Sequence, residues 1–463
     1  MPKLATMIGH YRDRYEPEQL LLVDCGDHID RVRIETEGTT GAANIAVMNA
    51  TGYEAFVPGN NEGLTFPKSD IAFVLQNYAQ FAILGTNMLD RQTGSQPPWM
   101  NEHLIVEKKG LRIGILGVTA CYNEFYEPLG WQVTDPMMAV AKQVDQLRGE
   151  TDFILVMSHV GLQFDRQLAQ SVSGIDYIIG GHTHHLLEQA ERVGDTWIGA
   201  AGKLGMHLGV IELAWNAEHK RVRIVQGGAL PVTDQADDPY IRSIIEQQLQ
   251  LGIASMDQLV AELSAPVHHD PRAESELGNL LAAGIRNWTN TELAIVNSGQ
   301  LLSGLSAGRQ TDADLLAICP SPINPCSMSL SGAAILQALE ESLLTEFIER
   351  SIRGYGFRGK QLGVLCLSGI EVDYDPTAPA NAKIKRVLVG GSPLQLEKVY
   401  RVGSIDMFTF GIGYLSLANG QDIHYFLPEF IRDVLKHELR NPASLARSKQ
   451  RHWRLIEGRM NRT

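Results

Sequence analysis

Five residues in the first half of the chain have side chains that bind metal ions: Asp27 in "DCGDHID", Asn60 in "GNNEG", His159 in "MSHVG", and His182 and His184 in "GGHTHH". A carboxylate can bridge two cations, an amide carbonyl can ligate one, and three imidazoles add nitrogen. This mixed oxygen and nitrogen set suits Zn, Mn, Fe, Co or Ni rather than Ca or a thiolate-bound ion. The chemistry available to paired divalent cations is activation of water and polarisation of an ester for attack. Each residue alone also has a plainer reading. Asp27 suits a turn or a helix cap, Asn60 a left-handed turn, His159 a satisfied strand-end histidine, and "GGHTHH" a polar loop. The five together point to a metal site, because every one of them closes an apolar run.

Those runs are the elements that must position the ligands. "LLLVDCGD", "AFVPGNN", "FAILGTNM", "RIGILGVTA", "FILVMSHVG" and "YIIGGHTHH" each read as a buried strand ending in a polar, often glycine-containing loop. Repeated strands separated by amphipathic stretches describe a layered α/β domain, whose chemistry gathers where the strands end. "TWIGAAG" and "HLGVIELAW" read as the strands that close it. From Asp237 to Leu263 the pattern predicts one or two helices, with Asp238 and Pro239 as cap and first-turn residues. A second domain opens on the helical spacing of "ESELGNLLAAGIRNW" and continues through "ELAIVNSG" and "GVLCLSGIEVDYDP". The expected division is residues 1–225, a helical linker over 226–263, and a domain over 264–463.

Composition narrows the function classes. At 463 residues the chain exceeds one hydrophobic core, and 44% apolar with 20% charged residues is ordinary for a folded soluble protein. A formal charge of −13 argues against a broad nucleic-acid surface. No apolar stretch reaches the ~18 residues of a membrane span, and "MPKLATMIGHYRDRYEPEQ" has no apolar signal core. Cys25, Cys121, Cys319, Cys326 and Cys366 include no CxxC pair, so neither a disulfide framework nor a thiolate zinc site is expected. A cytoplasmic location is the expectation. Composition leaves the oligomeric state open.

The order "GDxxD", "GNxE", "SHxG", "GGHTH" resembles that of the calcineurin-like metallophosphoesterases. "ESELGNLLAAGIR", "VNSG" and "GIGY" resemble the C-terminal domain of bacterial 5'-nucleotidases of the UDP-sugar hydrolase type. The resemblance implies an N-terminal layered αββα sandwich, a C-terminal α/β substrate-binding domain and two divalent cations. It implies Asp27 as bridging carboxylate, Asn60, His159 and His182 on one cation, and His184 on the other. Asn61 would steady the phosphoryl group. The implied substrate is a small phosphate ester: a nucleoside 5'-monophosphate, a 2',3'-cyclic nucleotide or a nucleotide sugar. His28, His185, His207, His268 and His269 match no ligand position.

Three departures qualify the resemblance. Relatives open on a strand ending in Asp-x-His, which this sequence lacks; a start codon set too far downstream is the expected reason, and true loss of those ligands the other. Relatives carry His, followed by a carboxylate, after the metal-binding Asn. Here Asn61 and Leu64 stand there, and an amide cannot act as a general acid near neutral pH. Glu62 reads either as a participant or as a capping carboxylate. In the second domain Asn297 and Gly299 persist from the substrate motif, while Leu302 replaces its arginine. Tyr414 matches one of the two aromatic rings that hold the nucleobase in relatives, and Phe357, Arg358 and Lys360 in "GFRGK" are either a substitute ring with cations or an ordinary basic loop. The competing readings are a catalytically impaired metal- and nucleotide-binding protein and, more weakly, a zinc-dependent amide hydrolase, for which no HExxH helix appears.

Overall fold

A computed structural model describes residues 1–216 and 221–456. The chain forms two compact units, Met1–Ala254 and Ser255–Thr463.

In the first unit, Val23–Asp24, Ala55–Phe56 and Ala82–Ile83 form a parallel three-stranded sheet in that order. Parallel neighbours need crossovers, and the connections carry the helices Ala42–Thr51 and Lys68–Tyr78. A six-stranded sheet runs Glu191–Val193, Thr196–Ala200, Tyr177–Gly180, Phe153–His159, Leu111–Thr119, Leu104–Lys108, parallel in the middle with an antiparallel strand at each edge. Strand alternation divides its apolar residues between two cores. Ile113, Ile115, Phe153, Leu155 and Met157 pack with Ala55 and Val57 of the smaller sheet. Leu116, Val118, Ile154 and Val156 pack instead with Val140, Val144 and Leu147 of helix Pro136–Leu147 and with Leu162 and Leu168 of helix Leu162–Ser171. This is the expected layered sandwich of helices and two sheets. A long antiparallel hairpin, His207–Asn216 with Arg221–Pro231, follows.

The segment expected to be wholly helical divides. Pro239–Met256 is a helix of the first unit, held close by glycine: a Cβ on Gly252 would lie 2.6 Å from the Ile34 carbonyl oxygen. Leu259–Leu263 is instead a strand, antiparallel to Gly308–Thr311. The break falls at Asp257, whose carboxylate pairs with Arg309 of the partner strand at 2.5 Å, and "LVAEL" then buries Val260 and Leu263. The division between the units, after Ala254, falls in the last turn of this helix, and the strand belongs to the second unit.

In the second unit a mixed five-stranded sheet runs Leu365–Ser368, Leu293–Asn297, Val399–Ile405, Pro325–Ser331, Gln421–Tyr425. A four-stranded sheet has the order Ser392–Pro393, Ile384–Val389, Ile370–Tyr374, Trp453–Leu455. Helix Glu276–Thr289 starts where Ser275 accepts a hydrogen bond from Gly278 N and ends at Asn290 in the left-handed region. Its Leu277, Leu280, Leu281 and Ile285 join one continuous core with both sheets.

Candidate metal centre and substrate face

Four side chains converge where strands of the two N-terminal sheets end. Asp27 follows Gly26, which has φ +88° and sits so close to its neighbours that a Cβ would lie 2.7 Å from Gly59 N and 2.9 Å from His159 Nδ1. Only glycine allows that approach. Asp27 itself has φ +57°, a cost that folded proteins concentrate at functional sites. One carboxylate oxygen, Oδ1, accepts from the Asn61 amide at 2.7 Å, and Oδ2 lies 3.2 Å from His159 Nε2. Asn60, first residue of the short helix Asn60–Leu64, places Oδ1 2.9 Å from His182 Nδ1 and 3.3 Å from His159 Nε2. The donor atoms of Asp27, His159 and His182 all lie within 4.8 Å of one another.

The two histidines are held by their outer nitrogens. His159 is buried at the end of Phe153–His159, and its Nδ1 lies 2.6 Å from the Cys25 carbonyl oxygen. A carbonyl only accepts, so Nδ1 carries a proton and Nε2 faces the cluster. His182, at φ +63°, has its Nε2 2.9 Å from the Tyr122 hydroxyl, and its ring meets that of His159 edge-on at 5.3 Å. Burial, the His159 charge and His184 push the His182 imidazole down to about 4 against the pull of Asp27, which leaves it neutral and ligand-ready at neutral pH. Burial also disfavours a charged His159, but the charge and hydrogen bond of Asp27, with the Cys25 carbonyl and Glu62, outweigh it and raise the imidazole to about 9. Burial raises the Asp27 carboxyl, and His159, the Asn61 amide and His182 overturn that and lower it. Without a cation, the pair is therefore an ion pair. This donor set fits a divalent cation: one carboxylate oxygen, one amide oxygen and two imidazole nitrogens facing one point.

Glu62 resolves as a capping group. Its buried carboxylate accepts from Gly59 N at 2.8 Å, Asp27 N at 3.0 Å and Ile29 N at 2.9 Å, tying the two ligand loops together. Burial and the neighbouring Asp27 raise it to about 7, opposed by the Ile29 amide, His159 and the Gly59 amide. Asn61 touches Asp27 through its backbone, and its side-chain Oδ1 lies 3.4 Å from Asn60 Nδ2. His184, at φ +57°, is exposed and stands outside the cluster of three. His185 is exposed, with Nδ1 2.8 Å from Thr183 Oγ1.

In the second unit the structure places most of the expected substrate residues within the packing of the chain. Asn297 is fully buried, donating to Leu362 O at 2.7 Å and accepting from Gln300 Nε2 at 3.0 Å. Gly299 abuts the carbonyls of Gln361 and Leu362, where no side chain fits. Both therefore fasten the turn after Leu293–Asn297 to the neighbouring chain and offer no surface to a ligand. Tyr414 is likewise buried: its hydroxyl donates to Gly363 O at 2.7 Å and its ring stacks on Phe347 at 5.7 Å. Phe357 is 5% exposed and belongs to the core, while Arg358 is half-buried, its amide donating to Ser321 Oγ at 3.2 Å. An exposed aromatic pair lies elsewhere in the unit: Tyr355 stacks on Phe410 at 6.0 Å, 56% and 41% exposed. Sequence reading did not single out this pair, although Phe410 directly precedes "GIGY" and Tyr355 lies in "GYGFRGK". It also missed Tyr122, whose one signal is its place in the loop after strand Leu111–Thr119.

A layered sandwich with Asp, Asn and two His at its strand ends, followed by a second α/β unit, defines the class. The model of the calcineurin-like phosphoesterases matches residues 1–186, and that of the 5'-nucleotidase C-terminal domain matches residues 253–414. The chain is 31% identical to the uncharacterized metallophosphoesterase YunD of Bacillus subtilis over 95% of both chains. It is 24% identical to the 5'-nucleotidase of Rattus norvegicus, over 84% of this chain and 74% of that one. Among solved structures it resembles the 5'-nucleotidase precursor of Thermus thermophilus (TM-score 0.58, 22% identity, 98% of this chain and 93% of that one). It also resembles the NAD nucleotidase of Haemophilus influenzae (TM-score 0.66, 15% identity, 98% and 91%). The chain belongs to the calcineurin-like metallophosphoesterases that carry a 5'-nucleotidase C-terminal domain, a family of phosphoester hydrolases.

Proposed function

We propose that this chain hydrolyses nucleotide phosphoesters, as a 5'-nucleotidase, a 2',3'-cyclic phosphodiesterase or a nucleotide-sugar hydrolase, with divalent cations held at the N-terminal strand ends. The observation that carries this reading is the convergence of Asp27, Asn60, His159 and His182 on one point. These four would hold the first cation, and His184 would serve a second, with Asp27 shared between the two. When bound, such cations lower the pKa of a coordinated water and polarise the phosphoryl oxygens.

The chain's own residues do the rest. The Asn61 amide and Glu62 fix the rotation of the Asp27 loop, so the carboxylate is oriented before any ligand arrives. The Asn61 side chain donates to a phosphoryl oxygen but has no proton to give a departing alkoxide. Esters whose leaving oxygen needs no acid are therefore favoured. In the second unit the exposed face of Tyr355 and Phe410 offers a stacking surface for a nucleobase, a contact worth roughly 1–3 kcal/mol per base. The five cysteines are all free, which favours a reducing compartment, and among the described residues no helix is long and apolar enough to cross a membrane.

The test is chromatography of the products formed from AMP (adenosine and phosphate), 2',3'-cyclic AMP (a nucleoside monophosphate) and UDP-glucose (UMP and glucose 1-phosphate), and p-nitrophenol release from bis-p-nitrophenyl phosphate, with added Mn²⁺ or Co²⁺. Hydrolysis that disappears in Asp27→Asn and His159→Asn supports the reading. Bound Mn²⁺ with no turnover of any ester would instead favour the impaired binding protein.

A further inference from the structure

Each cluster histidine has one nitrogen turned inward and one outward, but the outer partners differ in kind. His159 leans on a backbone carbonyl, whereas His182 leans on a side chain, the Tyr122 hydroxyl, 2.9 Å from Nε2 with the rings 5.9 Å apart and tilted by 47°. Tyr122 is not on a loose loop. Two residues before it, the Ala120 amide donates to His159 O at 3.1 Å. One residue after it, Asn123 donates to Val133 O at 2.9 Å and accepts from Val133 N at 3.0 Å. The phenol is thereby fixed against the ring that it touches.

The inner nitrogen of His182 faces Asn60 Oδ1 at 2.9 Å, an atom that only accepts. Without a cation, Nδ1 carries the proton and Nε2 needs a donor. With a cation on Nδ1, that nitrogen must present its lone pair, and the proton sits on Nε2, which then needs an acceptor. A hydroxyl can be either, and a phenylalanine ring neither. Outer partners of this kind fix the tautomer and orientation of a metal-ligating histidine.

Resting on the metal reading above, we propose that Tyr122 is the positioning residue for His182, holding its ring in place through the change of tautomer that cation binding requires. Its position in the chain, at the end of a different strand from any ligand, also couples the loop after Leu111–Thr119 to the metal centre.

The experiment compares full-length wild type with Tyr122→Phe by Zn²⁺ titration calorimetry, metal-free melting temperature and ¹⁵N NMR of the histidine rings. The expected result is Zn²⁺ affinity weakened ~10-fold or more, a metal-free melting temperature within a few degrees of wild type, and loss or displacement of the His182 Nε2–H resonance in the Zn²⁺ form. Tyr122→Gln, which again offers both a donor and an acceptor, recovers part of the affinity. Equal Zn²⁺ affinity and an unchanged His182 resonance in Tyr122→Phe overturn the role of Tyr122 and leave the metal centre standing. Absence of Zn²⁺ binding in the wild type overturns the metal reading and this inference with it.

Discussion

Asn61 reaches Asp27 with its backbone and not with its side chain: the amide N–H donates to Oδ1 at 2.7 Å. The orientation of the proposed bridging carboxylate is therefore independent of what residue 61 carries, and the side chain can be changed to test its chemistry. Asn61→His supplies a titratable donor at the place where relatives have one. We expect it to raise kcat for alkyl phosphates on the order of 10²-fold, with a much smaller effect on p-nitrophenyl phosphate. Equal changes for both substrates in steady-state kinetics would show that no acid is missing at this position.

Glu62 makes three hydrogen bonds to backbone amides of two loops and lies fully buried. Glu62→Gln keeps the shape but replaces one acceptor oxygen by a donor facing an N–H. A buried polar group left without its partner costs ~1–3 kcal/mol, so the melting temperature falls and Mn²⁺ binding weakens with it. If Glu62 were instead a catalytic base, the variant would melt as the wild type does and lose only kcat.

The two aromatic sites of the second unit make opposite predictions. Tyr414→Phe leaves the Gly363 carbonyl without its donor, and a loss of ~1 kcal/mol in unfolding free energy is expected with KM for nucleotides unchanged. Tyr355→Ala or Phe410→Ala removes exposed stacking area, so KM should rise several-fold with little change in stability. A rise in KM for Tyr414→Phe, with none for the exposed pair, would return the substrate face to the buried ring.

Asp406 gives the stability a pH dependence of known sign. Burial raises its carboxyl to about 7, against hydrogen bonds from the Asn324 and Met407 amides. The unfolded chain releases this proton near pH ~4 and the native state keeps it, so the contribution is full below that pH and is lost as pH rises towards 7. One proton corresponds to a slope of about 1.4 kcal/mol per pH unit. Asp406→Asn retains an acceptor for the Asn324 amide and removes the slope. Denaturant titrations should show the variant gaining on the wild type from pH 4 to about pH 7 and no further above it; parallel curves below pH 7 would place the Asp406 proton elsewhere.

Much of this was legible before any coordinates. The candidate ligand positions could be placed at strand ends because those ends are marked twice, by an apolar run and by the glycine that follows or precedes it, as at Gly26 and Gly181. The continuous apolar run in "FILVMSH" placed His159 at the end of a strand that is buried throughout. Sequence could not distinguish a tyrosine that lies on the core from one that lies on the surface when both sit beside glycines. Tyr414 and Tyr355 have similar local sequence, and only the packing of Phe347 against one and Phe410 against the other separates them. The strand Leu259–Leu263 was hidden for a related reason: five residues fit either period, and what decides is a partner strand fifty residues away. Tyr122 was invisible because an outer-shell contact leaves no spacing rule in the chain.

The central claim is that Asp27, Asn60, His159 and His182 hold a divalent cation that the hydrolysis requires. Its most direct test is hydrolysis of AMP to adenosine and of 2',3'-cyclic AMP to the nucleoside monophosphate, followed by chromatography, by chelator-treated protein titrated with Mn²⁺, for the wild type and His182→Asn. The account predicts activity restored by Mn²⁺ in the wild type and none at any Mn²⁺ concentration near the wild-type half-saturation point in the variant. Metal-independent turnover, or an identical Mn²⁺ response in His182→Asn, would contradict it.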